Sequence, residues 1–307
     1  MNIMIKLLKI LPALLSSTLV VLFLFYAIPI LGGLQKSYAA TPLLIDINSG
    51  TGDSSVDELV DVNGILYFRA DDGINGSELW RSDGTVDGTL MVKDIYVGID
   101  SGYPRNLTNV NGVLYFTADS GINGSELWKS DGTEEGTIMV KNFAFESDPS
   151  YLTNVDGTLF FWIDNALWKS DGMPDGTLLV KNITSGTGYG LAGAALGSNY
   201  IFLRKNELWV SDGTETGTIM ITSFYAAGAI TLDYVNGVLL FVGTATSSSD
   251  QEIWKTDGTV AGTAVLKNGI GTGGYNGPFL LNGSLYFWIY GSVGYELWRT
   301  DGTEAGT

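Results

Sequence analysis

The feature that most restricts what this chain can fold into is a tryptophan that returns six times in the same company. Glu78-Leu79-Trp80, Glu126-Leu127-Trp128, Ala166-Leu167-Trp168, Glu207-Leu208-Trp209, Glu252-Ile253-Trp254 and Glu296-Leu297-Trp298 are each followed by two residues and then Asp-Gly. Thr comes next in five copies and Met173 in the other, and a second Gly-Thr pair closes every unit. Successive tryptophans are 48, 40, 41, 45 and 44 residues apart. Periods of this size mark solenoids, propellers or arrays, whose units bury their apolar faces only against neighbours.

The content of the unit selects among these. The second copy reads as four short strands and no helix: residues 103–110, 113–117, 126–129 and 137–141. Asn111-Gly112 separates the first two, and Asn63-Gly64, Asn236-Gly237 and Asn282-Gly283 recur in phase. Such pairs suit the positive φ angles of a two-residue hairpin turn. Apolar runs such as Leu159-Phe160-Phe161-Trp162-Ile163 are continuous, which fits strands covered on both faces. The expected fold is therefore all-β, a six-bladed β-propeller of four-stranded antiparallel blades. Residues 42–47 look like a blade's fourth strand without the other three, and the sixth copy stops at Thr307, where its own fourth strand would start. Pairing the two predicts a ring closed by an N-terminal strand, with no open sheet edge. A piece of a longer array is the competing reading.

Residues 1–39 are of another kind. Lys6 and Lys9 precede an uncharged apolar run, residues 10–33, and Ser37-Tyr38-Ala39 offers small residues at the two positions a signal peptidase reads. The expectation is a signal peptide over 1–39, or an uncleaved membrane anchor helix, followed by the propeller over 40–307. The anchor reading rests on length, since the 24-residue run, at about 1.5 Å per residue, can span a bilayer core of roughly 30 Å. Beyond residue 39 the chain has 13 basic and 33 acidic side chains, a formal charge of −20. So acidic a surface repels nucleic-acid phosphates. With no His and no Cys, the sequence excludes His- or Cys-ligated metals, Ser-His-Asp and Cys-His nucleophile systems and disulfide staples.

The repeat resembles that of the bacterial ELWxxDGT-repeat proteins, over residues 41–307, departing from the pattern at Ala166, Met173 and Ile253. The resemblance implies a secreted or cell-surface repeat protein with a propeller-like fold and no particular activity to assign.

A residue shared by six units cannot be one active site, so the shared positions are read structurally. The tryptophans are expected to pack between sheets. In Asp83-Gly84-Thr85 and its counterparts, Asp caps its own backbone, Gly takes the unusual dihedral and Thr re-enters the sheet. Asp71 to Glu78 and Asp119 to Glu126 gather oxygen ligands of the kind calcium takes, but at the wrong spacing for a helix-flanked calcium loop. A sialidase-type Ser-x-Asp-x-Gly-x-x-Trp box is absent, and Arg69, Arg81, Arg105, Arg204 and Arg299 are the only arginines available for a carboxylate-binding cluster. No catalytic, cofactor-binding or metal-binding residue is assigned. The expected function is a non-catalytic, exported, monomeric binding or surface-structural module, with a protein or glycan ligand at the irregular joins 98–103, 185–190 and 269–277. The alternatives are an acidic-residue glycoside hydrolase and a calcium-dependent adhesin.

Overall fold

A computed structural model describes residues 44–307 apart from 123, 144–146, 185–189, 205, 226–232, 245–250, 272–274 and 292. The predicted signal or anchor segment, 1–39, lies outside the described residues. Every regular element described is a strand.

The first sheet runs β1 (Asp57–Val62), β2 (Ile65–Asp71), β3 (Ser77–Ser82) and β4 (Leu90–Lys93). The second holds β5 (Arg105–Val110), β6 (Val113–Asp119), β7 (Ser125–Ser130) and β8 (Ile138–Lys141). The third is β9 (Ser150–Val155), β10 (Thr158–Ile163), β11 (Ala166–Ser170) and β12 (Leu178–Asn182). The fourth is β13 (Gly190–Leu196), β14 (Asn199–Arg204), β15 (Glu207–Ser211) and β16 (Ile219–Ser223). The fifth is β17 (Asp233–Val235), β18 (Val238–Gly243), β19 (Glu252–Thr256) and β20 (Ala264–Lys267). The sixth has three strands, β21 (Tyr275–Leu281), β22 (Ser284–Gly291) and β23 (Gly294–Thr300). In each sheet the strands pair antiparallel in chain order, and the Asn-Gly pairs sit at positive φ as the hairpin requires, for example 51° at Asn111 and 86° at Gly112.

Neighbouring sheets cover one another through five apolar clusters, one for each consecutive pair. Leu79 and Val92 of the first sheet meet Leu114 and Phe116 of the second. Leu208 and Ile221 of the fourth meet Leu239 and Phe241 of the fifth. Burying a leucine in this way contributes roughly 1.5–3 kcal/mol. The repeated tryptophan stacks on a phenylalanine across the strand pair, with ring centroids 6.4 Å apart for Phe116 and Trp128 and 6.2 Å for Phe202 and Trp209. Only Trp128 of the six is fully buried; the other five are half-buried. A lysine closing the fourth strand ties each of the first three sheets to the next. Lys141 Nζ donates to Thr177 O at 2.9 Å and Lys181 Nζ to Thr218 O at 2.7 Å, each lysine also lying over that sheet's tryptophan.

Two expectations are corrected here. Residues 44–47 form no strand and the sixth sheet lacks a fourth, so the N-terminal closing strand is not made. A single extended segment has no stability until a ladder partner meets it. The loop threonine also does not re-enter the sheet. Thr85 stays in its turn, where its Oγ1 accepts from Gly88 N at 2.9 Å and its carbonyl accepts from Thr89 Oγ1 at 2.7 Å. The sheet resumes at Leu90, because five residues are needed to satisfy these backbone groups before the chain can turn back.

Candidate functional site

The strongest candidate is the wall formed by the first strands. β1, β5, β9 and β13 lie side by side, so the first strands of four successive sheets form one continuous surface. Side-chain amides stitch the wall: Asn109 Nδ2 donates to Asp61 O at 3.0 Å, and Asn154 Nδ2 to Asn109 O at 3.1 Å. Three of these strands carry a bulge at the same place, where Glu58, Asn106 and Tyr151 adopt φ of 56°, 57° and 54° and the pairing register slips. Left-handed backbone at a non-glycine residue costs about 1–3 kcal/mol, so something must hold it. Thr108 Oγ1 donates to Asn106 O at 2.8 Å and Thr153 Oγ1 to Tyr151 O at 3.1 Å, fixing two of the three. A bulge leaves one residue out of the ladder. The wall therefore interrupts its ladder at three successive levels beside the exposed side chains of Leu59, Arg105 and Tyr151, with the Asn106 and Tyr151 carbonyls taken by the threonines.

The connectors between sheets share the end of the molecule where each second strand turns into the third. Glu78 is fully buried and holds the connector 94–104: its carboxylate accepts from Gly102 N at 2.6 Å, Ile95 N at 3.0 Å and Tyr96 N at 3.4 Å. Burial pushes its pKa up to about 7, against the pull of those N–H groups, with Asp94 adding to the rise. The join 98–103 is thus anchored from within. Glu126 accepts from Ser120 N at 3.1 Å in its own turn and from the indole N–H of Trp128 at 3.3 Å, and Glu207 and Glu252 accept from the indole N–H of Trp209 and Trp254. One repeated glutamate serves three structural purposes.

The five arginines do not converge. Arg69 pairs with Asp57, Arg105 lies 5.7 Å from the centre of the Tyr103 ring, Arg81 stands opposite Tyr67 in the first sheet and Arg299 opposite Tyr286 in the sixth. Arg204 is buried, with its guanidinium 4.9 Å above Trp162 of the third sheet and Nη2 donating to Asn165 Oδ1. Burial lowers its pKa, and Glu207 opposes the drop. In the Asp-rich turn, Asp72 Oδ1 accepts from Ile74 N and Asn75 N, both at 2.8 Å. Burial disfavours the Asp72 charge, but these N–H groups outweigh it and hold the carboxyl below its usual range. Among the described residues no three His, Cys, Asp or Glu side chains gather where they could hold a metal ion. Of the joins proposed as ligand segments, 185–189 and 272–274 lie outside the described residues. The bulged wall was missed in the sequence, although Leu107-Thr108-Asn109-Val110 and Leu152-Thr153-Asn154-Val155 repeat its supporting residues.

No protein-family model matches the sequence, and no curated protein does either. Among solved structures, the chain is similar to prolyl oligopeptidase B from Galerina marginata bound to a 35mer hydrolysis and macrocyclization substrate, with a TM-score of 0.54 and 11% identity. A second similar structure comes from an analysis of two prolyl endopeptidases and the role of inter-domain dynamics in their catalysis and specificity, with a TM-score of 0.50 and 11% identity. Both alignments cover 82% of this chain and 42% of the other, so the chain spans less than half the length of those enzymes. The β-propeller domain of the trilobed protease from Pyrococcus furiosus aligns over 80% of this chain and 82% of its own, with a TM-score of 0.49 and 12% identity. The two prolyl-peptidase structures correct the expectation of a non-catalytic binding or surface-structural module. The two neighbours with a TM-score of at least 0.50 are prolyl peptidases, and at 11% identity the likeness carries the fold.

Proposed function

We propose that the chain is the propeller portion of a peptidase-type hydrolase and receives extended peptide against the first strands of its sheets. The bulges at Glu58, Asn106 and Tyr151 carry the reading, because a peptide in extended form is recognised where a ladder is interrupted and by the side chains flanking the break. The likeness to prolyl-peptidase structures, in which this architecture accompanies peptide hydrolysis, supports it. The chain contains no histidine, so a Ser-His-Asp system would be completed by residues other than these 307. In this reading Arg105 and Tyr151 contact the peptide, Arg105 favouring acidic positions and Tyr151 giving an apolar surface with a hydroxyl at its tip. The apolar run 10–33 after Lys6 and Lys9 supports export, and the six Trp-centred units support kinship with secreted ELWxxDGT-repeat proteins.

The test is fluorescence anisotropy of a labelled proline-containing peptide with the full chain. Saturable binding is expected, weakened at least about tenfold, or about 1.4 kcal/mol, in Tyr151→Ala and Arg105→Ala. Absence of binding to the wild-type chain, or binding that both variants retain, overturns the reading.

A further inference from the structure

Two contacts recur between consecutive sheets at the end where the first strand turns into the second. A turn asparagine reaches the turn of the next sheet: Asn63 Nδ2 donates to Gly112 O at 3.4 Å, and Asn236 Nδ2 to Gly283 O at 3.2 Å. Asn111 lies against Gly157 in the same way. In the first two sheets a tyrosine of the second strand also sets its hydroxyl on the glycine of the next Asp-Gly loop, Tyr67 on Gly132 and Tyr115 on Gly172.

The third and fourth sheets make neither contact. Asp156 stands where the asparagine would be, and an ionised carboxylate has no hydrogen to donate. The next turn is Gly197-Ser198, and a β-carbon on Gly197 would meet nothing within 4 Å. Phe160 replaces the tyrosine. Its ring stacks on Tyr200, with centroids 5.3 Å apart, and ends 3.2 Å from the β-carbon position of Gly213 without a hydroxyl. What remains is a cleft of about 180 Å³, lined by Asp156, Thr158, Phe160 and Lys169 of the third sheet and by Ser198 and Asp212 of the fourth. Asp156, Ser198 and Asp212 are exposed, so the cleft opens to solvent. The side chains of Asp156 and Lys169 have no hydrogen bond or ion pair among the described residues. Bonds from Thr214 hold the Asp212 carboxyl below its usual range, and the charge of Lys169 adds to that effect.

We propose that this cleft binds a small zwitterion of the α-amino acid class, its carboxylate on Lys169 and its ammonium on Asp156 and Asp212. The lining carries two carboxylates and one ammonium. An inorganic anion would meet a net negative wall. A calcium ion takes about six to eight oxygens and would find two carboxylates with an ammonium beside them. A neutral polyol can pair with the same groups, but hydrogen bonds between ions are roughly twice as strong as neutral ones. A zwitterion neutralises both signs at once. At about 30 Å³ each, about six waters fill the cleft, a volume suited to alanine or proline. Arg105 and Tyr151 do not line it, so the cleft is separate from the side chains assigned to the peptide.

Isothermal titration calorimetry of the full chain with L-alanine and L-proline tests the proposal. Saturable binding of at least one is expected. Affinity is expected to fall at least about tenfold for alaninamide, which lacks the carboxylate, and for N-acetylalanine, which lacks the ammonium. Phe160→Tyr and Asp156→Asn give this interface the residues that neighbouring sheets carry, so each is expected to fold with an unchanged or higher melting temperature. Both, and Lys169→Met, are expected to lose at least about tenfold in affinity. Anisotropy of the labelled peptide is expected to be the same in these variants as in the wild type, which keeps failure of one site distinct from failure of the other. No binding to the wild type, equal binding of the blocked derivatives, or wild-type affinity in any of the three variants would overturn the proposal.

Discussion

Gly136 lies so close beneath the carboxylate of Asp131 that a β-carbon on Gly136 would overlap both carboxylate oxygens. The same holds for Gly88 under Asp83, Gly176 under Asp171, Gly217 under Asp212, Gly262 under Asp257 and Gly306 under Asp301. The second glycine of the repeat is therefore required by its contact with the first aspartate, since its own backbone does not adopt the left-handed region.

Gly136→Ala is accordingly expected to push Asp131 out of its loop. Asp131 Oδ1 would lose the Thr133 N–H at 2.9 Å and the Thr133 hydroxyl at 2.7 Å. Leaving such groups unpaired costs about 1–3 kcal/mol, measurable as a drop in the urea midpoint at constant m-value. Gly291→Ala is the control, because a β-carbon there stays 3.6 Å or more from every neighbour, and it should shift the midpoint little.

The repeat period, the four-strand content and the Asn-Gly hairpins could all be read in the sequence because each follows from local chemistry recurring in phase. The wall could not. Tyr151 and Glu58 are poor candidates for left-handed backbone on propensity alone, and the threonine bonds that hold two of the bulges show only once β9 and β10 are paired. Glu78 and Glu207 share the Glu-Leu-Trp-x-Ser-Asp-Gly-Thr pattern yet differ in role, because the connector 94–104 folds back onto the first while the second meets its tryptophan. The end of the sixth sheet was misjudged for a related reason. A fourth-strand pattern in residues 42–47 says that the segment can pair, and the pairing itself depends on where the β23 edge lies.

The pH dependence of stability should carry the signature of Glu78. Its pKa is raised in the folded state from about 4.5 to about 7, so the folded chain binds this proton more tightly than the unfolded one. Its contribution is fully present below about pH 4.5 and is lost as pH rises through 7. Relative to Glu78→Gln, the wild type should lose about 1–3 kcal/mol between these limits. Asp131, Asp212 and Asp257 run the other way: bonds from the following threonine hold them below 3.8, and what they contribute disappears as pH falls through their folded values. Urea unfolding of wild type and variant at pH 5, 6, 7 and 8 checks the first claim. Parallel curves for the two proteins would refute it.

The last prediction concerns the one copy that lacks the glutamate. Trp209 Nε1 donates to Glu207 at 3.1 Å and Trp254 Nε1 to Glu252 at 3.0 Å, whereas Trp168 Nε1, in the copy with alanine at 166, is buried with no hydrogen-bond partner among the described residues, as are Trp80 Nε1, whose Glu78 is turned to the connector, and Trp298 Nε1. Phe161 and Phe143 pack on Trp168 and keep its ring in place. Ala166 is only partly buried and begins β11 as Glu207 begins β15, so a glutamate there can reach the indole without entering the core. Lys141, 5.9 Å from the centre of the Trp168 ring, supplies a nearby positive charge. Ala166→Glu is expected to stabilise the chain by about 0.5–1.5 kcal/mol. Ala166→Gln, offering the same acceptor without the charge, should recover part of that gain. If neither variant raises the urea midpoint, the glutamate of the repeat is not there to satisfy its tryptophan.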